Sequence, residues 1–245
     1  MSISSDDKQK NPSTKFVEWS GGDGKFYYYD KEKKEKVDMP TKFQIVGLDE
    51  LATIKGYDEK ASSGVYSNEV KNTTQEILIV KNFKGDLLAK GLYQSIKGDL
   101  SGGKYTKSIY AALVKKGGAV ELINLSIKGS ALSPWIDAKI NISGGFVITC
   151  GINPEEKKKG RTVYFEPSFE AKPLPEGEIR DTVVQLDKDV LQPYLKQYLS
   201  TPSQEEGNDW DNNKEQAPEP QYAAATPDNS KGIGGDDSED DSLPF

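Results

Sequence analysis

The chain has 245 residues, 35% of them hydrophobic, which is enough apolar material for one sizeable core. It has no histidine and a single cysteine, Cys150, which excludes histidine-based catalysis, zinc sites built from Cys and His, and any disulfide within the chain. The formal net charge of −7 is unevenly placed: residues 201–245 hold twelve acids and two bases, a net −10, so the preceding 200 residues carry +3.

Residues 1–14 are polar and read as disordered. MSISSDDKQK has neither a basic flank nor an apolar run, so a signal peptide is not expected. No apolar stretch approaches the roughly 20 residues that span a bilayer, and the expected location is the cytoplasm. FVEW (16–19), the turn SGGDG (20–24) and KFYYYD (25–30) predict a hairpin. KEKKEK (31–36) has no apolar side and reads as an exposed loop. TKFQIVGL (41–48), GVYSNEV (64–70) and EILIVK (76–81) read as strands, the last buried on both faces. Lys-Gly pairs at 55–56, 84–85, 97–98 and 116–117 predict hairpin corners with lysine at the rim.

KYTKSIYAALV (104–114) and AVELINLSIKG (119–129) flank a Lys-Lys-Gly-Gly turn and form the clearest hairpin. SALSPWIDAKI (130–140) predicts a short helix capped by Ser133, with Pro134 in its first turn and Trp135 in the core. GFVITCG (145–151) and RTVYFEP (161–167) read as strands joined by a basic loop, NPEEKKKG (153–160). In DKDVLQPYLKQYLS (187–200), Val190, Leu191, Tyr194, Leu195, Tyr198 and Leu199 recur at helical spacing, and Pro193 fits if it sits in the first turn. Residues 201–235 have the composition of a disordered linker, and 236–245 form an acidic tip. About ten short strands and two helices predict an all-β body over 15–200, an elaborated oligonucleotide-binding (OB-fold) barrel.

No phosphate-binding loop or dinucleotide fingerprint occurs, and no cofactor or metal is expected. A nuclease with carboxylate-held magnesium is the remaining enzymatic alternative to a non-enzymatic protein. The positive signal is aromatic rings interleaved with bases. In the first hairpin these are Lys25, Tyr27 and Tyr29; in the central one, Lys104, Tyr105, Lys107 and Tyr110; in the basic loop, Lys157, Lys158, Lys159 and Arg161. Alternation places Lys104, Thr106, Ser108 and Tyr110 on one side of their strand and Tyr105, Lys107 and Ile109 on the other. Single-stranded DNA offers bases that stack on rings and phosphates that lysines neutralise. The structural alternative is that tyrosines simply pack across strands and the lysine loop is solvated.

The last ten residues are DDSEDDSLPF. An aromatic side chain can fill an apolar pocket, its α-carboxylate can meet a base, and the acids can orient approach to a basic rim. Asp236, Asp237, Glu239, Asp240, Asp241, Leu243, Pro244 and Phe245 resemble the C-terminal tip of bacterial single-stranded DNA-binding proteins, with Ser238 and Ser242 interrupting the acid run. The stretch KYTKSIYAALV…AVELINLSIKGSALSPW is similar to bodies of phage-encoded single-stranded DNA-binding proteins. The resemblance implies a protein of phage DNA replication, recombination or repair in a host cytoplasm, binding single-stranded DNA and recruiting replication or repair enzymes through the tip. The alternative is an adaptor or inhibitor that uses the tip as bait without touching DNA.

Overall fold

The structure is a computed structural model, and it describes residues 10–142, 145–151 and 153–200. The linker and the acidic tip expected at 201–245 lie outside the described residues. The strands are β1 (Lys15–Ser20), β2 (Lys25–Asp30), β3 (Glu35–Asp38), β4 (Phe43–Asp58), β5 (Ser63–Ser67), β6 (Leu78–Asn82), β7 (Leu87–Gly91), β8 (Gly103–Val114), β9 (Val120–Lys128), β10 (Phe146–Cys150), β11 (Glu155–Lys159), β12 (Thr162–Glu166) and β13 (Phe169–Pro173). The helices are α1 (Tyr93–Ile96), α2 (Leu132–Asp137), α3 (Glu178–Leu186) and α4 (Gln192–Ser200). None of the described helices is long and apolar enough to cross a membrane.

Eleven strands form one sheet, ordered β3-β2-β1-β9-β8-β4-β5-β6-β7. Off that path, β10 pairs with β4 and β13 with β10, and among the described residues the ladder does not close on itself. All pairings are antiparallel except β1 with β9. Strands β11 and β12 make a separate hairpin.

The organiser is β4, sixteen residues long and paired with β8 along its length. A register shift between Gly47 and Asp49 leaves Leu48 as an extra residue. Such a bulge bends a strand and increases its twist. The half before it pairs with β10 and the half after it with β5, so one strand serves two neighbours. The Lys55-Gly56 corner expected from sequence is therefore strand interior. Glycine stands at 56 because a Cβ there would lie 2.2 Å from the Gly102 carbonyl oxygen. Lys97-Gly98 follows α1 rather than turning a hairpin. Lys84-Gly85 and Lys116-Gly117 do form corners, with Gly85 and Gly117 both at φ +92°.

The main core lies on one side of the sheet. Val17, Trp19, Phe26, Phe43, Ile45, Ile109, Ile123, Leu125, Ile127, Ile148 and Phe169 fill it, with Trp135 of α2. Cys150 is buried there, and desolvation pushes its thiol well up. A second cluster around Ile54, Val65, Leu78 and Val80 fills the space beneath β5–β7. In β6, Leu78 and Val80 are buried while Ile77 before it is exposed, so the run is one-sided rather than buried on both faces.

Helical residues run without a break from Glu178 to Ser200, beginning a full α3 before the predicted start. The Asp187–Leu191 stretch is a π-turn just ahead of Pro193. A proline inside an α-helix removes a hydrogen bond and crowds the carbonyl four residues back, here Asp189, and the wider turn relieves that conflict. Leu191, Tyr194 and Leu195 pack on Leu51, Tyr110 and Leu122, and Val183 packs with Leu174 on Val46 and Ala112. In α2, Ser133 does not cap but bonds to Asp137 Oδ2 at 3.2 Å. Asn11 and Thr14, expected to be disordered, are tied down: Asn11 Nδ2 donates to Tyr110 Oη (3.0 Å) and the Thr14 amide to the Leu122 carbonyl (2.9 Å).

Candidate nucleic-acid interface

Register partners in a sheet share a face, so strand pairing locates each side chain. One row runs Asp38–Tyr27–Glu18–Ser126–Ser108 from β3 to β8. A second runs Lys128–Thr106–Thr53 from β9 to β4. A third runs Lys104–Lys55–Tyr66–Lys81 from β8 to β6. All lie opposite the main core. The lower part of this face is covered by α3 and α4, and the rest forms a polar cradle.

The floor of the cradle is unusual. Thr53, Lys55, Thr106, Ser108, Asn124 and Ser126 are all buried. Buried polar groups are costly unless bonded, and these side chains make bonds. Lys55 Nζ donates to Ser126 Oγ (2.8 Å), Thr53 Oγ1 meets the Ser67 carbonyl (3.1 Å), and Asn124 Nδ2 donates to Ser108 Oγ (2.7 Å). Burial pushes the Lys55 ammonium down, while Glu18 and Glu69 oppose that shift. Among the described residues no three His, Cys, Asp or Glu side chains gather as a metal-binding group.

The wall from β2 and β3 carries rings and cations. Tyr27 is half-buried; its hydroxyl donates to Glu18 Oε2 (3.3 Å) and Lys36 Nζ lies 4.0 Å above its ring. That contact is a cation–π pair. Tyr29, also half-buried, sits opposite Lys36. Lys25 is exposed and pairs with Asp38 (2.8 Å). Lys128 pairs with Glu18 (3.1 Å). On the far side, Tyr66 is buried beside Phe83 with ring centroids 5.7 Å apart.

The structure divides the residues singled out by sequence. Lys25, Tyr27, Tyr29 and Lys104 share the cradle face, Lys104 exposed at its rim. Tyr105 and Lys107 face the other way. Tyr105 packs on Tyr93 (5.1 Å), and its hydroxyl is pushed up to about 12 by burial and by Glu50. Lys107 is ion-paired with Glu50. Tyr110 is corrected outright: at 0% exposure it presents no ring to a ligand. It packs against Tyr194 and donates to Glu69 Oε2 (2.7 Å), and α4 covers the ground it was expected to offer.

The basic stretch Lys157–Arg161 belongs to a hairpin, not a loop joining strands. Its base is anchored to the β1–β2 turn. The Phe165 amide donates to the Gly21 carbonyl (2.7 Å), and the Phe165 carbonyl accepts from Trp19 Nε1 (3.1 Å) and Ser130 Oγ (2.9 Å). Gly24, at φ +64°, lets the Phe165 ring sit against the turn. Lys158, Lys159 and Arg161 are exposed near the tip, and Lys157 pairs with Glu155 (2.8 Å).

Sequence reading missed Glu18, Lys36, Lys55 and Lys128. The signal for Lys55 was present: LATIKGY alternates around it once the corner reading is set aside. Lys36 was hidden because a short edge strand of alternating charge, EKVD, looks like a loop.

The chain matches no protein-family model, no curated protein and no solved structure.

Proposed function

We propose that the chain is a non-enzymatic single-stranded DNA-binding protein that uses the cradle face. The observation that supports this most is the contrast in what the sheet buries. One face buries hydrocarbon; the other buries hydroxyls and a lysine, Ser108 under the Glu69 carboxylate, and is flanked by half-buried tyrosines and by lysines. Bases would stack on Tyr27 and Tyr29, at about 1–3 kcal/mol each. Phosphates would meet Lys25, Lys36, Lys104 and Lys128, and the anchored β11–β12 arm would extend the cationic track with Lys158, Lys159 and Arg161. Stacking and charge read no particular sequence, so binding would be largely non-specific.

In this reading the sheet is an elaborated OB-fold. The antiparallel strands β4, β8 and β9 with β1 added in parallel would supply its central strands, and Phe26 of β2 meets Phe43 of β4 (5.3 Å). The acidic tip, Asp236 to Phe245, would recruit replication or repair enzymes, and the phage-type role follows from the resemblance of body and tip. Fluorescence polarisation of labelled single- and double-stranded oligonucleotides across a salt series tests the reading. A preference for single strands and a slope of about −0.7 per neutralised phosphate are expected.

A further inference from the structure

We propose that Glu18 is a built-in stand-in for a DNA phosphate, holding the deepest cations of the cradle until a strand displaces it. This rests on the single-stranded DNA reading above.

Glu18 and Ser126 are register partners on adjacent strands, and Ser126 Oγ holds the ammonium of Lys55 (2.8 Å). Lys128, one residue-pair along β9, reaches the Glu18 carboxylate at 3.1 Å. Tyr27 donates to the same oxygen at 3.3 Å. One carboxylate oxygen thus takes an ammonium and a phenol hydroxyl, donors that a phosphate oxygen also takes, and its charge acts on the Lys55 ammonium held alongside by Ser126. The two donors come from β2 and β9 and Lys55 from β4, so the convergence is set by the sheet and not by a local turn. Burial pushes the Glu18 carboxyl up, but Lys128, Lys55 and the bond from Tyr27 outweigh it and hold it below its usual range. The anion is therefore retained at neutral pH.

Lys55 explains why an anion must be there. A buried ammonium is tolerated only with a counter-charge beside it, and in the free protein Glu18 provides one together with Glu69. A backbone phosphate arriving between Tyr27 and Lys128 supplies the same charge. Glu18 then yields Lys128 to the phosphate and turns to solvent. It lowers affinity for every polyanion and keeps the floor from holding small anions, so strands that also stack on Tyr27 are favoured over charge alone.

The test uses the full chain with labelled oligo(dT). Glu18→Gln is expected to bind roughly tenfold tighter at low salt and to steepen the salt slope by about 0.7, one additional neutralised phosphate. Lys128→Gln is expected to weaken binding and flatten the slope by the same amount, and in its background Glu18→Gln is expected to lose most of its gain. Glu18→Asp keeps the charge but withdraws it by one methylene; it is expected to show a smaller gain and serves if Glu18→Gln unfolds. Unchanged or weaker binding by folded Glu18 variants, with wild type binding single strands normally, overturns the stand-in role alone. Absence of single-strand binding by wild type overturns the underlying reading.

Discussion

Strand β8 presents two chemistries on alternate residues. Ile109, Ala111 and Leu113 enter a core of hydrocarbon, whereas Thr106 and Ser108 enter a floor of hydroxyls, amide and ammonium. Both faces are buried, so exposure does not distinguish them. What differs is what holds them: burial of apolar area on one side, and a set of hydrogen bonds on the other. The first face is built for stability. The second retains polar groups at a cost in desolvation that their hydrogen bonds offset.

The two faces should part most visibly at Phe26, which touches the rings of Trp19, Phe43 and Phe169. Phe26→Ala should cost about 3–5 kcal/mol in denaturant unfolding and leave oligonucleotide affinity unchanged where the protein remains folded. Tyr27→Ala and Tyr29→Ala, on the other side of the same strand, should do the reverse. Each is expected to weaken single-strand binding by about 1–3 kcal/mol, read by polarisation, while shifting stability by less than about 1 kcal/mol. Tyr110→Phe separates the structure from the sequence reading. It removes the hydroxyl that Glu69 and Asn11 share, so a loss of about 1–3 kcal/mol in stability is expected with DNA affinity intact.

A smaller effect follows from Glu121, at the sheet's other rim. Partial burial pushes its carboxyl up, but bonds from Lys115, Lys15 and Thr14 outweigh this and hold it at about 2, below the ordinary value of 4.5. A carboxyl depressed in the folded state stabilises above its unfolded pKa and loses that contribution as pH falls towards the folded value. Between pH 4.5 and about 2, wild type should therefore lose stability more steeply than Glu121→Gln in acid unfolding, the curves converging near the lower limit. The smallest change is expected from the arm. Replacing Lys158, Lys159 and Arg161 by glutamine should flatten the salt slope by about 0.7 for each phosphate left without its cation, and unfolding should be unaffected.

Much of the body was legible in the sequence because its signals are local. The Lys-Lys-Gly-Gly turn between β8 and β9, the KFYYYD strand and the α2 helix around Trp135 each carry their own periodicity or turn chemistry. The failures are places where a distant partner decides. Lys55-Gly56 reads as a corner until the Gly102 backbone is seen against it. Tyr110 reads as a ligand until α4 covers it. The π-turn before Pro193 is a compromise between a helix-breaking residue and an apolar face that must continue. Of the candidate site, the ring-bearing wall was visible as alternation in one strand. The floor was not, because Glu18, Lys55, Ser126 and Lys128 come from three strands that the parallel β1–β9 pairing and the β4–β8–β9 pairings together bring side by side.

Whether the polar, ring-lined face binds unpaired nucleic acid is decided by polarisation of labelled oligo(dT) and of a duplex of equal length. Both are titrated at low salt with wild-type protein and with the Tyr27→Ala/Tyr29→Ala variant. Wild type is expected to prefer the single strand clearly, and the double variant to lose that preference. Equal affinity of wild type for both oligonucleotides, or a preference that survives removal of both rings, would contradict the assignment of this face.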